Sequence, residues 1–291
     1  MNIGRIYRFL VICFGLSWFL ALLFFLLPLD WQGLGGGVFG LIYMFMPALA
    51  VILVQRMEGR PPLQSMGFKW KINWWWLLSL LLPVVLAFLA LGVSLIFPGV
   101  EFSPEMAGLM ERFAVLLAPE EIEQMEGGFL RPFLLILVQT LLFGLTVNAV
   151  AGFGEELGWR GFLQREMENA GFWISSLIIG FIWGLWHAPL ILQGHNYPTY
   201  PFLGVIMMIL WCMLLAPLFG YIRLRAGSVI APSIMHGSLN ASVGLSTMYV
   251  RGGSELTVGL PGLAGFIVLL IINILLYFRD PDPGKLERES R

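Results

Sequence analysis

Long apolar runs separated by short polar clusters dominate the chain. A transmembrane helix needs about 20 apolar residues at about 1.5 Å each. Runs of that kind fall near 9–29, 34–55, 74–97, 132–157, 172–192, 202–222, 228–248 and 259–278. They predict an all-α fold, a polytopic transmembrane helical bundle of about eight spans, with residues 1–291 forming a single membrane domain. Gly33-Leu34-Gly35-Gly36-Gly37 opens the second run and permits close helix contact. Trp74-Trp75-Trp76 opens the third and reads as an interfacial aromatic anchor. There is no long-period repeat, low-complexity tract or domain linker.

The segment from Pro98 to Phe129 departs from this pattern. It carries Glu101, Glu105, Glu111, Glu120, Glu121, Glu123 and Glu126 against Arg112 as its one base. Met106, Leu109, Met110, Phe113 and Leu117 recur at helical spacing. That spacing predicts a short amphipathic helix lying on the membrane, with a plain solvated acidic loop as the alternative.

Composition sharpens the class. Hydrophobic residues make up 58% of the chain and charged ones 12%, whereas soluble domains carry about 25% charged residues. With a mean hydropathy of +0.83, the chain has too few charges to coat a soluble fold, and its surrounding partner is the lipid bilayer. A net charge of −1 gives no basis for nucleic-acid binding. Cys13 and Cys212 lie inside apolar runs, without CxxC or Cys/His zinc spacing. Arg5 and Arg8 precede an apolar run, as in a signal peptide. However, the run ends in Pro28-Leu29-Asp30 with no small-x-small cleavage site, so it reads as a first span that stays in the protein.

Lysine and arginine set the expected orientation. With a cytoplasmic N-terminus and eight spans, the cytoplasmic segments hold 13 basic residues. These are Arg5, Arg8, Arg56, Arg60, Lys69, Lys71, Arg165, Arg223, Arg225, Arg279, Lys285, Arg288 and Arg291. External segments hold Arg112, Arg131 and Arg251. Both termini are therefore expected to be cytoplasmic, in the cell membrane if the source is prokaryotic.

Ionisable side chains inside spans are costly and are candidates for function. Five occur here: Glu155, Glu156, Arg160, His187 and His236. Glu156 and Arg160 are four apart and share a helical face, so pairing would offset the burial of each. Glu155 points about 100° away and has no local partner of opposite charge. A carboxylate in an apolar cavity can act as a general base. His236 and Asn240 also share a face and present hydrogen-bonding groups to one space. Counting about 1.5 Å per residue from the adjacent turns puts Glu155 roughly 20 Å, His187 roughly 25 Å and His236 about 16 Å into their helices. The three groups can thus meet at one depth. His195 falls in an external loop and reads as an ordinary interfacial residue.

At these residues the chain resembles the CPBP family, also called the Abi or CAAX-protease family. Its pattern is EExxxR, an aromatic residue four positions before a histidine, then HxxxN on successive transmembrane helices. Here these are Glu155-Glu156-Leu157-Gly158-Trp159-Arg160, Trp183 to His187, and His236 to Asn240. The resemblance covers residues 130–250, a CPBP/Abi-like catalytic core. The family usually has Phe where this chain has Trp183, which keeps an aromatic packing surface.

The resemblance implies an intramembrane endopeptidase. Glu155 and His187 would activate water, and His236 and Asn240 would stabilise the oxyanion. Glu156 and Arg160 would hold Glu155 in place, and Trp183 would support the pocket. The substrate would be a peptide or protein, with a prenylated CAAX C-terminus as one option. The family has been described both as metal-dependent and as metal-independent. No cofactor is favoured, because Asn240 suits an oxyanion donor better than a zinc ligand and HExxH is absent. The metal-dependent alternative would use Glu155, His187 and His236 as zinc ligands. A proton-coupled transporter and a non-catalytic peptide-binding immunity or scaffold protein are the competing classes.

Overall fold

The computed structural model describes residues 2–27, 34–61, 63, 65–106 and 130–285. It is a helical bundle; its β-structure, among the described residues, is one two-residue ladder pairing β1 (Glu101–Phe102) with β2 (Val250–Arg251). Apart from Met106, the expected amphipathic segment lies outside the described residues.

Helix α1 (Ile3–Leu26) starts where the Asn2 side chain accepts a hydrogen bond from the Arg5 amide. Phe9, Cys13, Ser17, Ala21 and Phe24 form its buried face. Its opposite face exposes Val11, Phe19, Leu22 and Leu26. The same outward display recurs on later helices, with Leu77, Phe202, Leu275 and Phe278 all more than half exposed. An apolar coat this extensive fits a lipid solvent and would be untenable in water.

Helices α2 (Leu34–Met44) and α3 (Met46–Met57) form one apolar stretch interrupted at Phe45, just before Pro47. Asn73 caps α4 (Trp74–Ser94) by accepting from the Trp75 amide. Helices α5 (Leu130–Leu145) and α6 (Val147–Glu156) meet at a bend of 43°. The chain then widens into a π-helical turn, Leu157–Leu163. After this come α7 (Phe172–Trp186), α8 (Pro201–Ala226), α9 (Ile230–Ser242) and α10 (Leu263–Arg279). Helix α8 stops at Gly227, whose φ of 67° is the left-handed conformation glycine adopts without cost.

Every one of the eight predicted runs contains helix, but the helices differ in length. Four stretches, Ile3–Leu26, Gly35–Met57, Trp74–Ser94 and Pro201–Ala226, are long and apolar enough to cross a membrane, and the bent α5–α6 pair makes a fifth. Helices α7 and α10 are shorter and apolar, and α9 has only 13 residues. The shortening has a local cause. Pro189 lacks an amide donor and ends α7 near His187. Helix α9 gives way to a 3-10 turn at Val243. Such breaks are tolerated in a bilayer where the backbone is enclosed by protein, and α9 is buried from Ala231 through Leu239.

Close backbone contact sets the arrangement around α6. A side-chain carbon at Gly154 would come within 2.5 Å of the Met44 carbonyl oxygen at the α2–α3 break. One at Gly184 would come within 2.4 Å of Ile209 Cα, so α7 and α8 pack backbone to backbone. Basic residues gather at one end of the bundle. Arg5, 6% exposed, pairs with Glu58 and Glu166 and donates to Gln55, tying α1 to α3 and to the end of the α6 segment. Arg225 of α8 pairs with Asp280 just beyond α10.

Candidate active site

Glu155, Glu156, Arg160, His187 and His236 are all buried. Helix α6 supplies the first two and the π-turn supplies Arg160, while α9 lies alongside with His236. The approach is tight because residue 152 is glycine: a Cβ there would meet His236 Cβ at 2.8 Å. π-turns widen a helix locally and recur at functional sites.

The adjacent carboxylates have different partners. Glu156 Oε1 accepts from Arg160 Nη1 at 3.0 Å and lies 2.8 Å from His236 Nδ1. Against an ionised carboxylate, Nδ1 must be the donor. Glu155 Oε2 instead accepts from two indoles, Trp183 Nε1 at 2.6 Å and Trp159 Nε1 at 3.1 Å. Its other oxygen, Oε1, lies 3.7 Å from His236 Nε2. The Arg160 guanidinium carbon sits 4.5 Å from the Trp183 ring centroid and 4.6 Å from that of Phe219, within cation–π range.

His187 follows the last residue of α7. Its Nδ1 lies 2.8 Å from the Trp183 carbonyl oxygen. A carbonyl only accepts, so Nδ1 carries the proton and the neutral ring keeps a lone pair on Nε2. The turn is held through its neighbour. The Trp186 carbonyl accepts from Tyr43 Oη at 2.8 Å and Trp18 Nε1 at 3.3 Å, and Trp186 Nε1 donates to Ser17 Oγ at 2.7 Å.

Glu155, Trp183, His187, His236 and Asn240 line one cavity of about 290 Å³. The spacing of the motifs therefore brings Glu155, His187, His236 and Asn240 together. Glu156 and Arg160 lie behind this wall. The resemblance has Glu156 hold Glu155, whereas in the structure Glu156 binds His236. Trp183 offers a hydrogen-bond donor in addition to a packing surface.

Sequence reasoning missed other residues here. His195 was expected to be an ordinary interfacial residue, but it lines the cavity with Asn196. Burial pushes its imidazole pKa down to about 4. Gly194 and Asn196 both have positive φ, which turns the loop back over the bundle. Those two turn-forming residues were the available signal. Tyr43 and Cys212 also line the cavity. Trp159 was detectable as the i+4 neighbour of Glu155.

Among the described residues, no three His, Cys, Asp or Glu side chains form a set that could hold a metal ion. In the alternative zinc set of Glu155, His187 and His236, one oxygen of the carboxylate and one nitrogen of each imidazole make the hydrogen bonds described, and the second oxygen and second nitrogens lie outside those bonds.

The chain is similar in part to known proteins. A stretch of 44 residues is 39% identical to CAAX prenyl protease 2 of Methanococcus maripaludis, covering 15% of this chain and 16% of that protein. The chain thus matches about a sixth of that relative's length. The family described as type II CAAX prenyl endopeptidase Rce1-like matches residues 133–242, from α5 to the end of α9. The three motifs that carry the resemblance all lie inside this matched stretch, which is similar to that family across most of the helices lining the cavity.

Proposed function

We propose that the protein is an intramembrane endopeptidase in which Glu155 and His187 activate a water molecule. The observation that carries this reading is the shared cavity. A carboxylate and two imidazoles with assigned hydrogen bonds line a single cavity together with Asn240. Water bound between Glu155 Oε1 and His187 Nε2 loses its proton as it attacks the scissile carbonyl. The carbonyl oxygen gains the negative charge, and Asn240 Nδ2 and His236 Nε2–H donate to it. That donation uses doubly protonated His236, whose Nδ1–H remains on Glu156. Proton transfer to the leaving amine completes hydrolysis. No serine or cysteine nucleophile is required, and the proposed reaction is metal-free.

The proposed substrate is a peptide segment with a prenylated C-terminal CAAX sequence, entering from the lipid or from the basic end of the bundle. We place that basic end, with both termini, on the cytoplasmic side. A C-terminal green fluorescent protein fusion should fluoresce, and an alkaline phosphatase fusion should be inactive.

The test of activity is cleavage of quenched peptides, with and without a farnesylated cysteine, by purified wild type, Glu155→Ala and His187→Ala, each with and without chelator. Activity that survives chelator but is lost in both variants supports the proposal. A fully active Glu155→Ala protein refutes it, and loss of wild-type activity in chelator refutes metal-free chemistry. A folded wild type that cleaves nothing, yet binds the peptides, returns the scaffold reading.

A further inference from the structure

The two indoles on Glu155 have no counterpart in the water-activating roles above. Trp159 reaches Glu155 from one turn along the same segment, and Trp183 reaches it from α7, 28 residues away. Both donate to Oε2. Trp159 is fully buried and Trp183 is 2% exposed. We propose that Trp159 and Trp183 are positioning residues that clamp Oε2 of Glu155 and leave Oε1 as the catalytic oxygen. The inference deepens the endopeptidase reading and rests on it.

Three observations converge. First, a carboxylate in an apolar wall can rotate, and two donors on one oxygen remove that freedom. The free oxygen is the one 3.7 Å from His236 Nε2, on the side where the oxyanion donors lie. Second, Trp183 is itself held. The Arg160 guanidinium lies 4.5 Å from its ring centroid, and Trp159 stacks edge-on against both Phe9 and Trp186. Third, Arg160 reaches both carboxylates by different routes. It bonds Glu156 directly, and it touches Glu155 through the indole of Trp183. A cation over the face of an indole draws electron density from the ring and strengthens its N–H as a donor. Phenylalanine at position 183 would preserve the stacking and delete the donor.

The clean perturbation replaces the N–H without changing shape. Each tryptophan, and then both, is replaced by β-(3-benzothienyl)alanine, in which sulfur stands where the indole nitrogen does. A hydrogen bond to a charged group contributes about 1.5–3 kcal/mol, equivalent to about 10- to 100-fold in rate. The expected result is a fall of at least about 10-fold in kcat for the position-183 analogue, with KM within about twofold, and a larger fall for the double analogue. A packing role alone would leave the isosteric proteins at wild-type kcat.

Glu155→Ala is run in parallel. If it is inactive while the double analogue is fully active, the clamp is refuted and the endopeptidase reading stands. If Glu155→Ala is itself active, the endopeptidase reading fails. An activity-independent measurement covers that case. In the full-length protein in detergent, the Trp159 and Trp183 indole ¹H–¹⁵N resonances, assigned by single Trp→Phe variants, are expected downfield and should move upfield in Glu155→Ala. Resonances that do not move show that the indoles do not bond Glu155, and overturn the clamp.

Discussion

Glu156 and Arg160 form the most consequential buried ion pair near the site, and a double-mutant cycle tests what it contributes. Glu156 is 0% and Arg160 2% exposed, at an N–O separation of 3.0 Å. Removing one member of a buried pair costs about 3–5 kcal/mol, because the other charge is left uncompensated. Glu156→Gln keeps the size and an acceptor, so about 3 kcal/mol is expected. Arg160→Met should cost more. It strands Glu156 and also removes two cation–π contacts, each about 1–2 kcal/mol when desolvated; the sum is about 5–9 kcal/mol. In the double variant both charges are gone and only the cation–π and packing losses remain, about 2–4 kcal/mol. The coupling energy is therefore about 6–8 kcal/mol, trimmed where the membrane-embedded unfolded state finds other partners. The assay is equilibrium unfolding of full-length protein in mixed micelles, titrated with SDS and followed by far-UV circular dichroism. Losses that add to within about 0.5 kcal/mol, as for independent sites, would refute the reasoning.

Gly154→Ala should lower stability by about 1–3 kcal/mol by overpacking, since the added carbon meets the Met44 carbonyl at 2.5 Å; thermal melts in detergent measure it, and an unchanged melt would contradict the close contact. His195 should make stability fall with acidification. Its folded pKa of about 4 lies below the unfolded value of about 6.5, so the unfolded chain takes up the proton first and stability is lost as pH falls through that interval. An unfolding midpoint whose pH dependence is the same in wild type and His195→Gln would rule this out. Cys13 and Cys212 are both fully buried in the core, and Cys212 also lines the cavity. A small membrane-permeant thiol reagent should therefore label Cys212 first, read by mass spectrometry of the native protein, and equal rates would count against an accessible cavity.

Features set by local chemistry were legible in the chain. Apolar runs identified the helices because lipid imposes one requirement on every span. The Glu156–Arg160 pair was readable because four residues bring side chains to one face. Hydropathy could not locate where α7 and α9 stop, since those ends depend on enclosure by other helices. The Glu156–His236 bond spans 80 residues and the Glu155–Trp183 bond 28. Which carboxylate faces which partner follows from the packing of α6 on α9 and α7, which no local spacing encodes. His195 escaped for a related reason: the path of its loop depends on two positive-φ residues, and hydropathy records only that the segment is polar.

The adjacent carboxylates show how one dipeptide can meet two different environments. About 100° of helical rotation separates them. It turns Glu156 toward a permanent cation and the Nδ1 of His236, and Glu155 toward two indoles, a cavity and, at 3.7 Å, the Nε2 of His236. Glu156 is neutralised by its partners and orients His236. Neutral indoles can fix the geometry of Glu155 without supplying a counter-charge that would quench it as a base. A lysine or arginine at position 183 would hold the carboxylate just as firmly, but would form with it the same kind of pair that Glu156 already makes. The two carboxylates thus differ physically in that tryptophans hold Glu155 whereas an ion pair holds Glu156.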